Sequence, residues 1–159
     1  MASAYIETTV PSYYVANTSR DLLLQARQEV TKLWWDGGCS GCDLFISQET
    51  LDEAAKGDLS FAAKRLALIN NLPVLEITDR TDELAILLVE RRIVPAHVAS
   101  DALHIAIASV YRMDFLVSWN FKHIVNPRIR HRLRETVASL GERLPVICTP
   151  EDLLEDEDN

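Results

Sequence analysis

The segment from Ala99 to Ile124, ASDALHIAIASVYRMDFLVSWNFKHI, sets one acid, Asp101, in an otherwise almost wholly apolar helical stretch. A carboxylate there is costly to bury unless it is paired, hydrogen-bonded or bound to a metal. The segment then enters the apolar run Phe115-Leu116-Val117 and leaves it at Ser118-Trp119-Asn120. Further carboxylates follow two other apolar runs: Glu7 near the N-terminus, and Glu49, Asp52 and Glu53 just after Ser47. The other candidate for chemistry is Cys39-x-x-Cys42, in a glycine-rich loop. A zinc site needs two more ligands, and neither a second C-x-x-C nor an H-x-x-x-H follows. The pair also precedes a strand rather than opening a helix, so these cysteines read as ordinary loop residues.

The elements that must position the acids can be read from pattern. Ala4 to Thr9 reads as a strand stopped near Pro11. Thr18 or Ser19 caps a helix with apolar spacing at Leu23, Ala26, Val30, Leu33 and Trp34, closed by Gly37-Gly38. Asp43 to Ser47 is a short buried strand, followed by helices over 48–56 and 59–69. Leu72 to Ile77 is a third strand, and Thr78 or Asp79 caps a helix ending near Arg92. Pro95 opens the next helix, which puts Asp101 past its first turn. Asp114 to Ser118 is the fourth strand, Asn126-Pro127 the N-cap and N1 pair of a helix to Leu140, and Pro145 to Thr149 the fifth strand. Short, continuously apolar strands separated by helices predict a parallel sheet covered on both faces. In such sheets sites lie at the C-terminal ends of the strands, where Glu7, Ser47, the acids after it and Asn120 can converge on Asp101.

Composition bounds the function. The chain has 159 residues, enough for one domain with a real core, and no apolar run long enough to span a membrane. The N-terminus lacks a basic-then-apolar leader layout, which leads to the expectation of a cytoplasmic protein. A net charge of −8 excludes simple charge-driven nucleic-acid binding, although Lys122 to Arg134 carries five of the sixteen Lys and Arg. Residues 1–150 read as one domain, and 151–159 as an acidic, frayed tail.

YIETTVPSYY, ISQETLDEAAKGD, DALHIAIA and DFLVSWNFKHI together resemble PIN-domain proteins, above all the VapC-type ribonuclease toxins of prokaryotic toxin–antitoxin pairs. The resemblance runs from Tyr5 to Pro150, with the DALHIA and DFLVSWNFKHI blocks the most specific. It implies a three-layer α/β/α PIN-like fold around a mostly parallel five-stranded sheet. It also implies an acidic cluster that holds Mg²⁺ or Mn²⁺ and cuts RNA, a small antitoxin partner, a homodimer and no membrane association. By position the family's acids fall on Glu7, Glu53 (with Glu49, one turn earlier, as rival), Asp101 and Asn120. Glu7 is one methylene longer than the family's usual Asp, and Asn120 brings a carbonyl oxygen without charge. The alternative is therefore a catalytically weak or silent PIN domain that binds protein or RNA.

Hard divalent ions held by carboxylate oxygens shield phosphate and activate water, which suits such a cluster. Thr8 and Ser118 are minor candidates at the same edge, His104 reads as a satisfied core histidine, and Lys122 and His123 are candidate phosphate contacts. Arg128, Arg130, Arg132 and Arg134 alternate and so spread around their helix rather than forming a stripe. Tyr13, Tyr14, Trp34 and Trp35 are either core or an exposed aromatic patch.

Overall fold

A computed structural model describes residues 1–155. The strands are β1 (Ser3–Ile6), β2 (Asp43–Ser47), β3 (Val74–Leu75), β4 (Phe115–Val117) and β5 (Val146–Cys148). The helices are α1 (Thr9–Val15), α2 (Leu22–Asp36), α3 (Gln48–Ala54), α4 (Leu59–Ile69), α5 (Asp79–Glu90), α6 (Ala99–Val110) and α7 (Pro127–Ser139). They form the three-layer α/β/α arrangement expected from the alternation of strands and helices. The sheet order is β3-β2-β1-β4-β5, and every neighbouring pair is parallel. Each strand-to-strand connection contains a helix, which is what a parallel ladder requires.

The strands' period of two divides the core. Tyr5, Leu116 and Ile147 face one side and pack with Leu84 and Leu88 of α5, Ile105 and Ala108 of α6, and Leu133 and Val137 of α7. Ala4, Ile6, Val117 and Cys148 face the other, against Val10 of α1, Trp34 of α2, Ala54 of α3 and Ile69 of α4. Burial on both faces explains why the strands carry no apolar–polar alternation. Three of the four aromatic candidates serve packing or bonding: Trp34 is buried with Nε1 donating to Ser40, Tyr13 stacks on Trp119, and Tyr14 donates to Asp36.

The chain passes from β1 outward through β2 to β3, then returns to pair β4 on the other side of β1. The C-terminal ends of β1 and β4 therefore flank the topological switch point, where ligands of open α/β sheets bind. Among the described residues no helix is long and apolar enough to cross a membrane.

Several boundaries differ from the sequence reading. Strand β1 ends at Ile6, and Pro11 does not break the chain but sits in the first turn of α1, where its missing N–H costs nothing. Helix α2 is capped by Asp21, which accepts from the Leu24 N–H at 2.9 Å, rather than by Thr18 or Ser19. Strand β3 has only two residues. Pro95 opens a 3-10 turn, Ala96–Val98, so α6 itself begins at Ala99 and Asp101 lies in its first turn, not beyond it. A carboxylate there is favoured by the helix dipole. In the acidic tail, Glu151–Leu153 form a 3-10 turn, with Asp152 accepting from the Thr149 N–H at 2.8 Å and Leu153 O accepting from Ser40 Oγ. The rest of the tail, 156–159, lies outside the described residues.

Candidate functional site

Glu7 follows β1 directly. Its N–H donates to Val117 O, which extends the β1–β4 pairing and turns the side chain into the switch point. The side chain is 3% exposed. Its Oε2 accepts from Thr9 N at 2.8 Å, Thr9 Oγ1 at 2.6 Å and Ser118 Oγ at 3.1 Å. All three bonds go to one oxygen, which leaves Oε1 for another partner. Burial nevertheless holds the Glu7 pKa above the usual carboxylate range, against the opposing effects of His104 and Thr9.

Glu53 lies on α3, whose start is fixed by a reciprocal cap between Ser47 and Thr50. Thr8 Oγ1 donates to Glu53 Oε1 at 2.7 Å, and His104 Nε2 bonds the same oxygen. The other nitrogen of that ring, Nδ1, meets the Tyr5 hydroxyl at 2.6 Å, and Tyr5 in turn meets Ser47 Oγ at 2.7 Å. Burial alone would raise the Glu53 pKa. The His104 bond and charge, with Thr8 and Ser100, outweigh it and bring the value to about 2. Burial likewise works against the His104 charge, and Tyr5, Glu53 and Glu7 override it, so the imidazole pKa stands well above its ordinary value. His104 is fully buried, as expected of a core histidine, but its role as a clamp on Glu53 escaped the sequence reading. Its position three residues after Asp101, one turn along the same helix face, was the available signal.

Asp101 is 8% exposed. Burial raises its pKa, while the Asn120 side chain and the charges of His104 and His123 pull the other way. Asn120 is held by Ser118 Oγ, which accepts its N–H at 2.9 Å, and its Oδ1 accepts from the His123 N–H at 3.0 Å. Its amide is thereby turned toward the acid. Glu49, the rival to Glu53, accepts from Ser100 Oγ at 2.8 Å on the α6 side of the cluster. Lys122 is exposed and His123 half-buried.

The four sequence-derived residues thus gather around one edge: Glu7 and Glu53 interact electrostatically, as do Asp101 and Glu53, and the Asn120 side chain favours the charged form of Asp101. Among the described residues no group of three or more His, Cys, Asp or Glu is set to hold a metal ion in this arrangement. The donor chemistry nonetheless suits a hard cation: every candidate ligand offers oxygen, and burial holds two of the three carboxylates above their normal pKa despite the opposing charge of His104. Among the described residues no cysteine side chain bonds a member of this set, although the Cys148 carbonyl at the end of β5 accepts from the Ser118 N–H. Cys39 and Cys148 are buried, Cys42 half-buried, and all three are free thiols.

No protein-family model and no curated protein matches the chain.

Proposed function

We propose that this chain is a PIN-type endoribonuclease dependent on Mg²⁺ or Mn²⁺, with Glu7, Glu53, Asp101 and Asn120 as its ligand set. The observation that carries the reading is that carboxylates from three elements, Glu7, Glu53 and Asp101, lie with the Asn120 amide around the sheet's switch point, with Glu7 and Asp101 raised in pKa by burial. When bound there, a divalent ion shields the phosphate and makes water a better nucleophile. The chain's own work is positioning. Thr9 and Ser118 fix Glu7 through one oxygen and spare the other. His104 and Thr8 fix Glu53 in the same way. Asn120 favours the charged form of Asp101, and its own orientation is set by Ser118 and His123. Purified protein is expected to cleave RNA only with added Mg²⁺ or Mn²⁺, and Asp101→Asn to lose this activity. Equal cleavage by both proteins would remove the site assignment.

A catalytically silent binding module is the second reading. It is favoured by His104, whose proton already balances Glu53, and by the neutral Asn120. Calorimetric titration with Mn²⁺ separates the two: saturable heat at millimolar metal supports the nuclease, and its absence supports the silent domain. A toxin's setting in the cytoplasm, a small antitoxin partner and a homodimer belong to the same proposal. Copurification of the product of a short adjacent reading frame tests the partner.

A further inference from the structure

Beside the acidic edge stands a set of aromatic rings that the ligand set does not use. Phe121 immediately follows Asn120 and is 41% exposed, a large apolar ring left at the surface. The Arg27 guanidinium carbon lies 4.4 Å from its centroid and 6.0 Å from that of Trp119. Trp119 meets Phe121 edge-on at 6.0 Å, and Tyr13 stacks on Trp119 at 5.7 Å with planes 7° apart. This group is rigidly mounted. Thr31 Oγ1 accepts from Trp119 Nε1 at 2.8 Å and donates to Arg27 O at 2.7 Å, so one hydroxyl of α2 anchors both the ring and the turn that carries the cation. Thr9 Oγ1 accepts from the Trp119 N–H at 2.8 Å and donates to Glu7 at 2.6 Å. The Thr9 hydroxyl thus links the Trp119 backbone to Glu7, beside the Ser118 bond to the same carboxylate.

We propose that Phe121 and Arg27 form a stacking subsite for one unpaired nucleobase next to the acidic cluster, an inference that rests on the ribonuclease reading above. A ring partnered by a guanidinium is the surface on which bases stack, because every base offers a π-face and Arg adds cation–π attraction. The charge is complementary: Arg27 and the exposed Lys122 flank Phe121 on a molecule that is otherwise acidic. A base within a duplex has both faces covered by its neighbours, so only an unpaired base can enter. Recognition is by stacking, which makes the subsite tolerant of base identity.

The test is steady-state cleavage, with Mn²⁺, of a single-stranded RNA oligonucleotide with one preferred cut site and of versions carrying a single abasic nucleotide at each position in turn. The wild-type protein should show one position near the cut where loss of the base raises KM by roughly 5- to 100-fold, with little change in kcat. Phe121→Ala should raise KM on the intact strand by a similar factor and become insensitive to the abasic site at that position. Phe121→Trp should restore both behaviours, and the same sequence in a duplex should be a poor substrate. Abasic sensitivity at no position, or a Phe121→Ala variant as sensitive as wild type, overturns the subsite while leaving the ribonuclease standing. Absence of RNA cleavage by wild-type protein overturns both.

Discussion

Asp101 and Glu7 are held at a disadvantage to stability. A carboxyl whose folded pKa is raised binds its proton more tightly folded than unfolded, so its ionisation weakens the fold as pH rises from the unfolded value through the folded one. Asp101→Asn is accordingly expected to melt higher than wild type near neutral pH, by about 2–4 °C for each kcal/mol gained, while losing cleavage. Added Mg²⁺ should then raise the wild-type Tm and leave the variant's unchanged, because only binding to the folded state stabilises it. Differential scanning calorimetry reads both, and a lower Tm for the variant would contradict this account. Glu53 and His104 carry the opposite signs. Glu53, lowered from 4.5 to about 2, stabilises above its unfolded pKa and loses that contribution as pH falls toward 2. His104, raised above 6.5, stabilises fully below 6.5 and loses its contribution as pH rises through its folded pKa. Urea denaturation in EDTA should show the advantage of wild type over His104→Gln largest between pH 4.5 and 6.5 and declining on either side. An advantage that keeps growing above pH 6.5 would count against the charged imidazole. Among the thiols, burial pushes Cys39 to about 11 and Cys148 to about 12. Thiolate is the reactive form, so iodoacetamide at pH 8 should label half-buried Cys42 first and the other two only on unfolding. Rapid native labelling of Cys39 would revive a redox role for the C-x-x-C loop.

At the scale of elements, the helices differ in how openly their ends were written. Asn126-Pro127 was legible at both positions: Asn126 Oδ1 accepts from the Arg128 N–H at 3.0 Å, and Pro127 takes N1. Asn126→Ala should cost about 1 kcal/mol in chemical denaturation. Thr78 was likewise readable, and its reciprocal partner Thr81 follows the S/T-x-x pattern with Thr in place of the usual Glu. Helix α1 was missed because two cues for an ending coincide there: Pro11 follows a strand-like run closely, and β-branched Thr9 and Val10 continue the strand composition. What decides is tertiary, since Val10 is fully buried against the sheet face that also buries Trp34. Asp21 was passed over for Ser19 because all are good caps; in the fold Ser19 Oγ is engaged by the Asp21 N–H. The acids Glu7 and Asp101 and the amide Asn120 could be placed from sequence because strand ends and the apolar helix mark them. Glu53, with Glu49 as rival, was placed by the resemblance alone, and its bond to the buried His104 imidazole was not read from the sequence. The core itself is conventional: Leu88→Ala, at a fully buried position on α5, is expected to lose about 2–5 kcal/mol by urea titration.

Across the whole molecule, the proposed ribonuclease function has to be reconciled with an acidic chain. With a net charge of −8, long-range attraction for RNA is absent, and contacts such as Arg27 and Lys122 act only at short range. Binding should therefore depend weakly on salt, with a slope corresponding to about one or two neutralised phosphates rather than the six to ten of a basic nucleic-acid binder. The sheet order also governs when in its life the chain becomes competent. Strand β1 precedes the other four in sequence and is the most central, yet the Glu7 carboxylate reaches its Ser118 partner across 111 residues of sequence. Closing so long a loop is slow and late, since its entropy must be lost before the contact forms. A chain emerging from the ribosome holds Glu7 and Glu53 early but cannot complete the cluster until β4 and Asn120 have been synthesised, released and paired.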